Sequence, residues 1–132
     1  METTMISGFR NLYDKEPMEM TVARFVEWTR TNGEVKRLTD EYRRLMTEGR
    51  EEEAARVKRT LPAATMAGVF EGGRQEKDLK RLTGLMMFDW DDVGPARTQL
   101  LERLRMTDCV VLAWTSISGQ GVKAVIRVDV TD

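Results

Sequence analysis

At 132 residues, with 41% hydrophobic and 33% charged side chains, the chain is long enough for one globular domain and too apolar for wholesale disorder. Its 21 basic and 22 acidic residues nearly cancel, which excludes a protein held on DNA by bulk positive charge. One cysteine and no histidine exclude a disulfide framework, imidazole catalysis and a zinc site of thiolates and imidazoles, so any metal must be held by oxygen, as Mg²⁺, Mn²⁺ and Ca²⁺ are.

The predicted elements fall into two textures. Residues 21–31 carry Val22, Phe25, Val26 and Thr29 at helical spacing behind Thr21 as N-cap, and Asn32-Gly33 ends the segment. Residues 34–47 repeat the pattern with Val35, Leu38, Tyr42 and Leu45, supported by Asp40 and Arg44 four apart, and Gly49 stops it. A third helix over about 50–60 presents Ala54 and Val57 before Pro62. Thr65 to Phe70 reads as a short strand ended by Gly72-Gly73, followed by a charged linker from Arg74 to Arg81. Leu85 to Asp91 is an apolar strand that turns acidic, and Gly94-Pro95 opens a helix to 105 with Leu100, Leu101 and Leu104 on one stripe. Cys109 to Trp114 and Val122 to Val130 read as strands around a turn at 116–121.

The expected fold is therefore α+β and a single domain over 1–132. A mainly helical part (1–62) packs on a small mixed β-sheet in a β-β-α-β-β part (63–132) that carries the candidate site. No stretch approaches the roughly 20 apolar residues of a membrane span. Met1 to Met5 lacks a basic region followed by an apolar one, so no secretory signal is expected, and a lone thiol fits the cytoplasm.

Two segments carry chemistry. On a strand, Asp89 and Asp91 project the same way with Cα atoms about 6.5–7 Å apart, near enough to share a divalent ion that relieves their mutual repulsion. A solvated strand end leading into a helix has the same Asp-x-Asp pattern, and Asp92 suits capping or solvent exposure. Ser116-Ile117-Ser118-Gly119-Gln120-Gly121-Val122-Lys123 joins two strands. Its glycines permit a turn with inward amides, Ser116 and Ser118 add hydroxyl donors, and Lys123 adds a positive charge, all suited to phosphate oxygens. An ordinary glycine-rich hairpin has this composition too, and the spacing is not that of a Walker A loop. Together the two segments are complementary halves of a metal-dependent nucleotide site.

Elsewhere the bland reading is favoured. Trp28, Trp90, Trp114, Phe25 and Phe88 are expected in the core, and Cys109 as an inert buried thiol. The basic residues of the helices alternate with acids as a solvated face. Arg74, Lys77, Lys80 and Arg81 form a more one-sided basic loop that suits a nucleic-acid backbone.

The order Phe88-Asp89-Trp90-Asp91, helix, strand, then Ser116 to Lys123 resembles the front half of the archaeo-eukaryotic primase (primase-polymerase) catalytic domain. The whole chain is similar to the VirE N-terminal-like family of Bacteroidetes, through Ile6 to Asn11, Arg56 to Thr65 with Gly68 and Phe70, and Leu82-Thr83-Gly84 before the acid pair. The resemblance implies a mobile-element or phage setting, DNA as partner, and a P-loop helicase-like ATPase in cis or trans. It implies Asp89 and Asp91 as catalytic ligands of Mg²⁺ or Mn²⁺. Ser116, Ser118, Gly119, Gly121 and Lys123 would hold the phosphates of a nucleoside triphosphate for nucleotidyl transfer. Two departures stand out: such domains usually have a histidine at the position of Lys123, and a third acid on a later strand. Asp129 shares a face with Lys123 by alternation but lies close to it in sequence. The expectation is metal and nucleotide binding without a complete polymerase, the alternative being a non-catalytic DNA-binding or recruitment module of a replication protein.

Overall fold

The computed structural model describes residues 3–128. The chain divides into two compact units, Met1–Thr83 and Gly84–Asp132, each built from helices and antiparallel strands, and the α+β expectation holds. The boundary falls after Thr83 because the strand at 63–65 pairs inside the first unit.

In the first unit β1 (Met5–Phe9) is the central strand of an antiparallel sheet, flanked by β2 (Met18–Thr21) and β3 (Ala63–Thr65). Neither β1 nor β2 is legible as a strand in the sequence. Ile6, Ser7, Gly8 and Phe9 are all buried, so the alternation that marks a half-exposed strand is missing. Gly8 lies under the Met20 side chain of β2, whose Cε would be 2.7 Å from a Cβ there and would have to swing aside for it. Ser7 is fully buried and its hydroxyl accepts from the Phe70 amide at 2.8 Å.

The helices follow the predicted punctuation. Thr21 caps α1 (Val22–Thr31) by accepting from the Arg24 amide at 3.0 Å. Asn32 both ends α1 and caps α2 (Gly33–Thr47), accepting from the Glu34 and Val35 amides. Gly49 closes α2 in the left-handed region at φ 75°, where a side chain would be strained, before α3 (Glu51–Arg59). Asp40 pairs with Lys36 at 2.7 Å rather than with Arg44, which takes Glu48.

The single strand expected at 65–70 is two. β3 ends at Thr65, the buried Met66 turns the chain, and β4 (Gly68–Phe70) pairs in a separate two-stranded sheet with β5 (Leu79–Leu82). The charged linker therefore contains a strand, exposed along its length, with Lys80 and Arg81 between two exposed leucines. Ile6, Phe9, Val22, Tyr42, Leu45, Ala54, Met66 and Val69 form the core of this unit.

The loop between β1 and β2 is held by its own side chains. The Asp14 carboxylate accepts from the Glu16 and Arg10 amides and from the Arg10 guanidinium, which hold its pKa down to about 2. An acid whose pKa is lower in the folded than in the unfolded chain stabilises the fold above the ordinary value of 3.8 and loses that contribution as pH falls toward about 2. Thermal melts across this window are expected to show a drop that Asp14→Asn reduces.

In the second unit β6 (Leu85–Trp90), β7 (Val110–Thr115) and β8 (Val122–Arg127) form a sheet in the order β6-β8-β7. Every pairing is antiparallel, which corrects the expected mixed sheet: β8 returns from β7 by the tight 116–121 turn and lies between the two strands that α4 (Arg97–Arg105) connects. Leu85, Ala113, Val122, Ala124 and Val125 are buried. Phe88, expected in the core, is 41% exposed because β6 is an edge strand, and it stacks on the half-buried Trp90. Cys109 is exposed as well, one residue before β7 begins. Asp129 lies outside the described residues.

Candidate functional site

The strand order creates the site. Because β8 is the neighbour of β6, Asp89 faces Lys123 directly across the ladder, and their side chains meet at 2.8 Å between Nζ and Oδ1. Both side chains are partly exposed, so the pair contributes only about 0.2–1 kcal/mol and is readily exchanged for another partner. Asp91 lies one residue beyond β6, exposed, with no cation paired to it among the described residues. Asp92 adopts φ 51°, a left-handed conformation that aspartate tolerates, and so turns the chain out of the strand. Val93 then donates to the carbonyl of Gln120 at 2.9 Å, tying the acidic segment to the turn.

Gly121 fixes that approach from the other side. A Cβ on it would lie 2.6 Å from the Trp90 carbonyl oxygen, 3.0 Å from Ser116 Oγ and 3.6 Å from the Asp91 Cα. Only a residue without a side chain lets the turn lie this close to the acidic strand end. Asp89, Asp91, Ser116, Gly121 and Lys123 are thereby brought together within one unit.

The turn itself differs from the expected cradle of open amides. Ser116 N–H donates to the Gly121 carbonyl and Gly119 N–H to the Ser116 carbonyl, both at 2.9 Å. The Gly121 amide donates to Ser116 Oγ at 3.0 Å and the Gln120 amide to Ser118 Oγ at 3.2 Å. The two hydroxyls are 3.0 Å apart, so one donates to the other and a single hydroxyl hydrogen is left to point outward. That hydroxyl and the Lys123 ammonium are side-chain donors the site can offer an anion.

A third donor escaped the sequence reading. Arg97, at the first position of α4, donates from Nη1 to the Gly119 carbonyl. A cation at a helix N-terminus opposes the helix dipole, and that local conflict was a readable signal. The guanidinium has five N–H donors, so this bond leaves it able to bind an anion.

The donor set fits a hard divalent cation in kind, through the Asp91 carboxylate and the Asp89 oxygen that Lys123 does not take. Among the described residues no cluster of three such ligands forms.

The basic residues 74–81 belong to the first unit, and most of them are already engaged. Arg74 donates to the carbonyls of Leu12 and Asp14 at 3.1 Å each and lies 4.5 Å from the centre of the Phe9 ring. Arg81 pairs with Glu19 at 2.7 Å and Lys80 approaches Glu71 at 3.9 Å, leaving Lys77 without an ion pair among the described residues. Among those residues, too, no helix is long and apolar enough to cross a membrane.

A family model described as BT4734-like, N-terminal domain matches residues 56–132, a stretch that includes the acid pair and the turn. No curated protein and no solved structure matches the chain.

Proposed function

The chain belongs to the BT4734-like, N-terminal domain family, and on that premise we propose that its second unit is a primase-polymerase-like site for a nucleoside triphosphate and a divalent cation, Mg²⁺ or Mn²⁺. The likeness of Asp89-Trp90-Asp91 and Ser116 to Lys123 to primase-polymerase and VirE N-terminal-like domains is part of this proposal. The observation that carries it is the packing of Gly121 on the Trp90 carbonyl, which supports a shared pocket for the acids and the turn.

In this reading Asp91 and Asp89 hold the cation, while Lys123, one of the serine hydroxyls and Arg97 bind the triphosphate oxygens. The bound cation would offset phosphate charge and favour attack at phosphorus. Lys123 cannot serve Asp89 and a phosphate at once. Its move to a phosphate frees Asp89 for the cation, so cation and triphosphate bind better together than apart. Nucleotidyl transfer in the replication of mobile DNA is the activity that such a site would serve, given a further acidic ligand.

Titration calorimetry tests this with Mn²⁺, ATP and both together. The wild type is expected to bind the pair more tightly than either alone, and Asp89→Asn or Asp91→Asn to weaken that binding by about a factor of ten or more, roughly 1.4 kcal/mol per decade. Equal binding by all three proteins, or none by any, defeats the proposal. Salt-sensitive DNA binding that ignores Mn²⁺ and survives both substitutions would instead favour a recruitment module.

A further inference from the structure

The first unit has a cleft of about 430 Å³ between the loop after β1 and the segment leading to β5, within the size range of small-ligand sites, about 300–1,000 Å³. Its walls combine an exposed aromatic ring with cations. Tyr13 is 63% exposed, and Leu12 beside it is exposed too. Lys15 and Lys77 line the cleft with no ion pair among the described residues, and Arg74 lies with them. Asp78 is the one carboxylate of the lining. It leans over Gly73, where a Cβ would lie 2.3 Å from its Oδ2, and accepts from the Gln75 amide at 3.1 Å.

The backbone of the walls is held by hydrogen bonds within the first unit. Asn11 Oδ1 accepts from the Tyr13 and Asp14 amides, both at 2.9 Å, and the Leu12 amide donates to the Arg59 carbonyl at 3.0 Å. Arg74, reaching from the opposite wall to the Leu12 and Asp14 carbonyls, fastens the two sides together. A preorganised cleft loses little entropy on binding.

We propose that this cleft is a subsite for single-stranded nucleic acid, with a base stacked on Tyr13 and backbone phosphates held by Lys15 and Lys77. A flat exposed ring next to unpaired ammonium groups is the combination a single strand uses, because every base has a face to stack and every residue a phosphate. An acidic peptide would use the cations and leave the ring idle. The proposal stands on the first unit alone and does not need the metal–triphosphate site.

Fluorescence anisotropy with a labelled oligothymidylate of about 15 nucleotides, in EDTA, tests it. The wild type is expected to bind with salt-dependent affinity. Lys15→Ala with Lys77→Ala is expected to flatten the log–log salt slope by about 1.4, from about 0.7 per phosphate contact on a single strand. Tyr13→Leu is expected to weaken binding about tenfold without changing that slope, and Tyr13→Trp to restore it. These side chains are on the surface, and unchanged melting curves for the variants exclude unfolding as the cause. No binding by the wild type, wild-type binding by Tyr13→Leu, or binding that chelation abolishes would overturn the proposal.

Discussion

Phe9→Ala is expected to destabilise the first unit by about 3–5 kcal/mol, the range for removing a fully buried aromatic side chain from a core. Phe9 has no solvent exposure and is the largest of the fully buried side chains. It sits at the end of β1, the strand on which both flanking strands depend, so the cavity cannot close without moving the sheet. Natural domains have only about 5–15 kcal/mol in reserve, so this one substitution removes a large part of it. Phe9→Leu keeps most of the apolar volume and is expected to cost about 1 kcal/mol or little more. It also removes the ring face under Arg74, worth about 0.5–1 kcal/mol. Because Arg74 fastens the two walls of the nucleic-acid cleft, Phe9→Leu ties core packing to binding. Oligothymidylate affinity should fall modestly while the fold stays intact. Urea unfolding measures the first effect. A cost below about 1 kcal/mol for Phe9→Ala would refute the assignment of Phe9 to the core.

How legible these features are depends on whether their cause is local in sequence. Thr21, Asn32 and Gly49 act within four residues, so the helices they start and stop are readable from the chain. β1 is hidden because both of its faces are buried and each carries a small residue, Ser7 on one and Gly8 on the other. β5 is hidden because it is only four residues long, exposed throughout and centred on Lys80-Arg81, so it shows no apolar alternation. The acid pair and the serine–glycine turn are visible as motifs, but their meeting is not. It depends on β8 lying between β6 and β7, which pairs Asp89 with a lysine 34 positions away. Hydrophobicity alone also misplaced Phe88 and Cys109, since an apolar residue at an edge or a strand end need not be covered. The turn folds back on four of its own amides, a feature no motif carries, which shifts anion binding in the proposed site toward Lys123, a hydroxyl and Arg97.

Gly121→Val is expected to be the most damaging single change in the second unit. The backbone of Gly121 is not in the left-handed region, so conformational strain is not the reason. Space is. The first added carbon would lie 2.6 Å from the Trp90 carbonyl oxygen, a backbone atom held in the β6–β8 ladder opposite Val122, so neither side can yield without breaking strand pairing. Overpacking of one or two carbons costs about 1–3 kcal/mol in ordinary cores, and a clash with backbone belongs at or beyond the upper end. Gly121→Ala is expected to cost less, with the same direction. Gly33→Ala is the control: a Cβ there meets nothing within 4 Å, and at the start of α2 it gains up to about 1 kcal/mol of helix propensity. The same chemical change should thus move stability in opposite directions at the two positions. Lys123 follows two residues after Gly121, so a displaced turn should also break its 2.8 Å pair with Asp89 and lower affinity for Mn²⁺ with ATP together. Urea unfolding and calorimetry on Gly121→Ala read both consequences. If the alanine variant is as stable as wild type and binds the pair equally well, the turn does not lie against the acidic strand end and the shared pocket is lost with it.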